Sequence, residues 1–304
     1  MILEAKNLMR PIFVIGTGRC GLTPLMHLIS YHQDLAWLSQ YNNQFPNQMF
    51  LSYLSRIVEW PIFSSSLKYN LFVPRHIEAF DFWDPLFLGF REPFRDLNKN
   101  DVSPSVKNKF INAINNIMYY QGKKEFISEY SGWSRIGFIN AIFPEARFIH
   151  IVRDGRAVAN SYINVKYWRG WGGVYKWRWG VPKNSYMEIL NKYNHSFLAL
   201  AAIEWKTLVN NITSEGESLS NDRYFTIKYE DMVKNPVKVA NDCIDFMGLD
   251  KCCKKFKKHL STVKIIDANN SKFRIEAWKD SLSNNQINML NDILNTELEY
   301  FSYN

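Results

Sequence analysis

The sequence predicts an α/β fold: a parallel sheet between two layers of helices, in a single domain, with a P-loop-like nucleotide site near its start. Three observations carry this expectation. Short apolar runs rich in β-branched residues, typical of strands buried on both faces, alternate with segments of helical period. A glycine-rich turn joins the first such strand to the first helix. The 304 residues suffice to bury one full core, and no repeat or long linker divides them.

Ile12 to Ile15 is a continuous apolar run and predicts the first strand. It leads through Gly16-Thr17-Gly18-Arg19-Cys20-Gly21 into a helix with Leu22, Leu25, Met26, Leu28 and Ile29 on its apolar side. Asp34 to Leu38 predicts a short second strand. Ser103 and Pro104 open a helix carried by Val106, Phe110, Ile114, Ile117 and Met118, and Gly122 stops it. Phe126 to Ser128 predicts a third strand. Arg147 to Val152 predicts a fourth, running into Arg153-Asp154-Gly155-Arg156 and a helix through Val158 and Tyr162. Residues 187–212 predict one long helix, and Tyr224 to Tyr229 the last strand. Asn235-Pro236 caps a helix that ends before Gly248, and Ser283 with Gln286 opens a final one. Ligands of such sheets bind beyond the carboxyl ends of the strands. Arg19, Glu129, Arg153 and Tyr229 each follow a predicted strand end, so they are expected to share one crevice.

A formal net charge of +8 suits an anionic ligand, but the basic residues are scattered, which argues against nucleic acid. The densest basic run, Lys251 to Lys258, reads as a solvated helix face. The four cysteines, Cys20, Cys243, Cys252 and Cys253, have neither metal-knuckle nor disulfide spacing, so a reducing, cytoplasmic setting is expected. The N-terminal stretch has no signal-type apolar run. No segment reaches the roughly 18 apolar residues that span a bilayer.

Gly16 to Thr23 has the spacing of the triphosphatase loop G-x-x-x-x-G-K-[ST], with Leu22 at the lysine position. Backbone N–H groups and a helix N-terminus would still converge on phosphate. The lysine grip on β- and γ-phosphates is absent, and the positive charge sits at Arg19 instead. A kinase on this fold would need that lysine and Mg²⁺.

At this point the chain resembles a known family. IGTGRCGLTPL is similar to the 5'-phosphosulfate loop of sulfotransferases that use 3'-phosphoadenosine-5'-phosphosulfate (PAPS), in which a basic residue commonly precedes Ser-Gly-Thr-Thr. HIVRDGRAVANS resembles their 3'-phosphate segment, with Arg153 and Ser161 at its spacing. YEDMVKNP resembles the strand-end tyrosine (Tyr229) and the turn after it. FRIEAWKDSLS resembles the C-terminal nucleotide-contacting segment, which brings in Lys272 and Arg274. WRGWGG and WRWG are similar to bacterial members near the tyrosylprotein and carbohydrate branches. The motifs run from residue 12 to residue 283 in the family's order.

The resemblance implies PAPS as donor, 3'-phosphoadenosine-5'-phosphate (PAP) as product, and no metal. It implies a loop site made by Gly18, Arg19, Cys20, Gly21, Leu22 and Thr23. Two departures stand out. Leu22 replaces the first threonine of the pair, and Ser128-Glu129-Tyr130 lacks the basic residue often found there. Chemically, sulfuryl transfer rests on positioning and on cations near the leaving phosphate, and this makes Arg19 a candidate catalytic residue. Arg153 offers a planar fork suited to phosphate.

The acceptor side needs a base. Glu78, in the stretch Pro74 to Phe80, is the first candidate and Glu129 the second; His27 reads as a packed histidine. Residues 40–100 and 165–185 are expected to be acceptor-side insertions, and Tyr167 to Trp179 a loop or lid over the acceptor. Aromatic and basic residues together suit a small-molecule or carbohydrate acceptor, whether sugar, phenol or anion, and the sequence leaves these open. A nucleotide or small-molecule kinase, and a non-catalytic protein that binds PAPS or PAP, are the alternative readings.

Overall fold

The computed structural model describes residues 9–59, 73–262 and 271–303. β1 (Ile12–Gly16), β2 (Leu35–Trp37), β3 (Glu125–Ser131), β4 (Arg147–Val152) and β5 (Tyr224–Lys228) form one sheet in the order β2-β3-β1-β4-β5. All four pairings are parallel. β1 is central and fully buried, and its alternate side chains go to opposite layers. Ile12 and Val14 pack with Leu25 and Ile29 on one face, while Phe13 and Ile15 pack with Phe110 and Ile114 on the other. A third apolar cluster surrounds Trp205 on the helix Phe197–Glu217. The chain leaves β1 toward β2 and β3 on one side and later returns to β4 on the other. A crevice therefore opens beyond β1's carboxyl end.

The helix signals act as expected. Ser103 accepts the Val106 N–H at 3.2 Å to start Pro104–Gln121, and Gly122 ends it at φ 65°. Ser283 and Gln286 form a capping box on Asn284–Tyr300. Gly248 closes Pro236–Met247 in the left-handed conformation. The basic run lies on the helix Lys254–Thr262, with Phe256 buried and Lys254, Lys255, Lys257 and Lys258 exposed.

Two boundaries differ from expectation. Residues 187–212 hold two helices, Asn184–Lys192 and Phe197–Glu217, not one. Asn194 and His195 between them adopt φ of 50° and 53°, and this break lets both helices pack on the same apolar cluster. Helical periodicity continues across such a joint, so the pattern alone hides it. Tyr229 begins the helix Tyr229–Lys234 instead of ending β5.

Loop 90–96 is locked to the end of β3 by a buried arginine. Arg135 donates to the carbonyl oxygens of Phe90 at 2.9 Å, Arg91 at 3.1 Å, Ser131 at 3.2 Å and Trp133 at 2.7 Å. Its guanidinium lies over the rings of Phe90 and Tyr130, at 4.9 and 5.0 Å. Asp96 accepts the Arg135 backbone N–H, the Ser134 hydroxyl and the Asn211 amide. The four cysteines are free thiols. Among the described residues no helix is long and apolar enough to cross a membrane.

Candidate active site

The loop after β1 turns through left-handed residues: Gly18 at φ 85°, Arg19 at 55° and Gly21 at 104°. Arg19 bears that conformation with a side chain, which is costly and found mainly where the surrounding structure demands it. Gly21 is required twice over, because a Cβ there would also sit 2.4 Å from the Tyr229 ring. The side chains of Cys20 and Leu22 are buried in the core beneath the loop, so a phosphate would meet their backbone N–H groups only. Burial pushes the Cys20 thiol up to about 12, which keeps it protonated. Thr23 is exposed in the first turn of the helix Leu22–Ile29.

A cavity of about 640 Å³ lies beyond the strand ends. Gly18, Arg19, Thr23, Arg153 and Tyr229 line one half; Glu78, Glu92, Trp168, Arg178, Trp179 and Glu204 line the other. Arg153 lies over the Tyr229 ring at 4.5 Å and donates to the Arg19 carbonyl at 3.2 Å. Arg19 Nε donates to Ser161 Oγ at 2.9 Å, and its terminal nitrogen to the Tyr167 hydroxyl at 2.8 Å. Three expected phosphate residues, Arg19 from the first loop and Arg153 and Ser161 from the segment after β4, thus meet beside the cavity. Lys272 and Arg274 lie on the helix Ser271–Ser281, but their side chains are outside the described residues.

Glu78 lines the cavity, and its Oε2 accepts from Ser131 Oγ at 3.2 Å. Burial first, and the neighbouring Glu129 second, push its pKa up to about 7; Ser131, Arg135 and Arg178 act the other way. A carboxyl tuned so close to neutrality is suited to taking a proton. Glu129 requires a correction: it lies within β3 rather than beyond its end, is only 1% exposed, and does not line the cavity. It therefore does not share the crevice with Arg19, Arg153 and Tyr229. His27 is half-buried, with Nδ1 3.0 Å from His76 Nε2.

A model of the sulfotransferase family matches residues 11–252. The chain belongs to the sulfotransferase family. It is a transferase, and its reaction moves a sulfuryl group to an acceptor. Among solved structures, sulfotransferase STF9 from Mycobacterium avium aligns with a TM-score of 0.57 at 14% identity, over 96% of this chain and 77% of that one. The sulfotransferase domain of the curacin biosynthetic pathway aligns with a TM-score of 0.52 at 14% identity, over 98% of this chain and 99% of that one. At such identities the likeness is one of fold. No curated protein sequence matches significantly.

In the second half of the cavity of this sulfotransferase, Glu92 pairs with Arg169 at 2.7 Å and Arg178 at 2.8 Å. Arg178 lies over the Trp179 ring at 4.3 Å, and that ring packs directly on Gly132. Trp168 donates Nε1 to Glu204 Oε2 at 2.8 Å and stacks on Tyr162. The stretch Tyr167 to Trp179 contains two short 3₁₀ turns, Arg169–Gly172 and Val174–Lys176, and is otherwise irregular, as its glycines predict. Sequence reasoning missed Glu204 and Glu92. Glu204 had a signal, a carboxylate within the apolar run LALAAIEW. Glu92 had none.

Proposed function

We propose that this sulfotransferase takes its sulfuryl group from PAPS, releases PAP, and works without a metal. The observation that carries the reading is the meeting of Arg19, Arg153 and Ser161 beside a glycine turn at a helix N-terminus. Loop amides and Thr23 hold the 5'-phosphate, Arg153 and Ser161 the 3'-phosphate, and Arg19 the oxygen that bridges phosphorus and sulfur. Lys272 and Arg274 complete the nucleotide site. Glu78 takes the proton of the acceptor hydroxyl or amine. A kinase is disfavoured because Leu22, apolar and only 5% exposed, stands where the phosphate-gripping lysine would be.

Residues 40–100 and 165–185 form the acceptor side. They supply Glu78, Phe80, Glu92, Trp168, Arg178 and Trp179 to the cavity. Carboxylates and guanidiniums set among aromatic rings favour a hydrogen-bonding small molecule or carbohydrate over a plain hydrocarbon. The free thiols suit a reducing, cytoplasmic setting.

PAP is expected to bind with one-to-one stoichiometry in the absence of divalent metal and to raise the melting temperature, as any ligand of the native state must. Calorimetry that finds no PAP binding, but tight binding of Mg-ATP, would overturn the assignment. Arg153→Ala is expected to weaken PAP by about 1.5–3 kcal/mol, the worth of a charge-assisted hydrogen bond. Adenosine 5'-phosphosulfate, which lacks the 3'-phosphate, should be far less affected. Equal losses for the two ligands would remove Arg153 from the 3'-phosphate.

A further inference from the structure

Glu129 and His76 are titratable, dry and unused by the reaction described above. Residues 75–77 pair with the stretch just after β2, and two alternate side chains reach β3: His76 meets Glu129, and Glu78 meets Ser131. Glu129 Oε1 is 2.8 Å from His76 Nδ1, and the two residues are 1% and 2% exposed. His76 Nε2 continues to His27 Nδ1 at 3.0 Å. Glu129 Oε2 has no hydrogen-bond partner. An ionised carboxylate with one bare oxygen at this depth is strongly disfavoured. A carboxylic acid that donates to His76 leaves only a neutral carbonyl oxygen bare, which costs far less.

The surroundings of the two carboxyls differ in the same sense. Glu78 receives the Ser131 hydroxyl and faces the guanidiniums of Arg135 and Arg178. The chain behind Glu129 consists of the imidazoles of His76 and His27, among the rings of Tyr31 and Trp37. Burial, and after it the nearby Arg75 charge, disfavours a second proton on His76, and the buried Cys20 thiol is neutral. Neighbouring carboxyls resist ionising together, so one keeps its proton.

We propose that Glu129 is the proton-holding partner of Glu78: it keeps its carboxylic proton and donates it in a hydrogen bond to His76 Nδ1, so the negative charge of the pair stays on the cleft-facing carboxylate. Burial pushes Glu129 up to about 8 and His76 down to about 3, the directions this arrangement requires. The proposal rests on Glu78 being the base. In the reaction the acceptor O–H bond breaks as its oxygen bonds to sulfur. The sulfur–oxygen bond to phosphate breaks with its electron pair leaving on PAP, and the proton passes to Glu78. Glu129 touches no reacting atom; it is a positioning residue.

Infrared spectroscopy of the full chain near neutral pH tests this directly. A protonated-carboxyl stretch is expected in the wild type; its Glu129 component should persist in Glu78→Gln and be missing from Glu129→Gln in the difference spectrum. Glu129→Leu, which cannot donate to His76, is expected to lower kcat about tenfold with PAP affinity kept. Glu129→Gln, whose amide donates as the acid does, should recover most of that loss. A wild type without the band, a band lost in Glu78→Gln instead, or a glutamine variant no better than leucine would each overturn the proposal. Full turnover by Glu78→Gln would sink the base reading alone, because the band is read without turnover.

Discussion

Arg19→Ala is expected to lower kcat by about 10²–10³, the usual cost of removing one donor aimed at developing charge. PAP affinity should fall much less. The reason lies in when the charge appears. In bound PAPS the bridging oxygen carries little charge, whereas in the transition state it becomes a phosphate oxygen with growing negative charge. A cation at that point binds the transition state more strongly than the ground state, so its loss falls on kcat. The geometry supports that placement. Arg19 lines the cavity and is tied to both Ser161 and Tyr167. Its left-handed backbone is held by Arg153, which bonds the Arg19 carbonyl. Steady-state kinetics, with PAP binding measured separately, decides the matter. A mutant with near-normal kcat and only a raised KM for PAPS would leave Arg19 a binding residue.

Arg135→Met is expected to cost about 3–5 kcal/mol of stability, the range for breaking a buried charged network by removing one partner. The substitution strands four carbonyl oxygens that share one guanidinium, and leaves Asp96 without that counter-charge. At a few degrees per kcal/mol, the melting temperature should drop by roughly 10 °C. Arg135→Lys should not restore it, because an ammonium lacks the planar fork that reaches all four oxygens. The freed carbonyls belong to loop 90–96 and to the end of β3 with the turn after it, beside the part of the cavity proposed for the acceptor. Acceptor KM should therefore rise while PAP binding below the new melting temperature is kept. A melting temperature within about 2 °C of wild type would show that the loop is held by other contacts.

The donor half was legible because its residues are close to their partners in sequence or follow strand ends. Gly16 to Thr23 declares a turn and a helix start by composition alone, and Arg153 and Ser161 lie eight residues apart, one just before and one within the helix Gly155–Ile163. β1 and β2 were legible for the same reason: each is a short run buried on both faces, which leaves no polar alternation. Residues 187–212 were misread because a left-handed joint at Asn194 and His195 leaves the apolar period intact on both sides.

By itself, then, the chain determined an α/β sheet, a glycine-rich strand-to-helix loop without the triphosphatase lysine, and an arginine and a serine eight residues apart after the fourth strand. These are local matters, written in periodicity, glycine and residue type. Only the tertiary structure decided which carboxyl meets the cleft. Glu78 and Glu129 look alike in sequence, but β3 turns Glu129 inward against His76, and Ser131 beside it presents Glu78 to the cavity. The same holds for Glu92 and Glu204, which reach the cavity from a loop and a long helix far apart in the chain. Burial and the placing of one charge beside another arise from contacts between distant segments, and no local pattern encodes them.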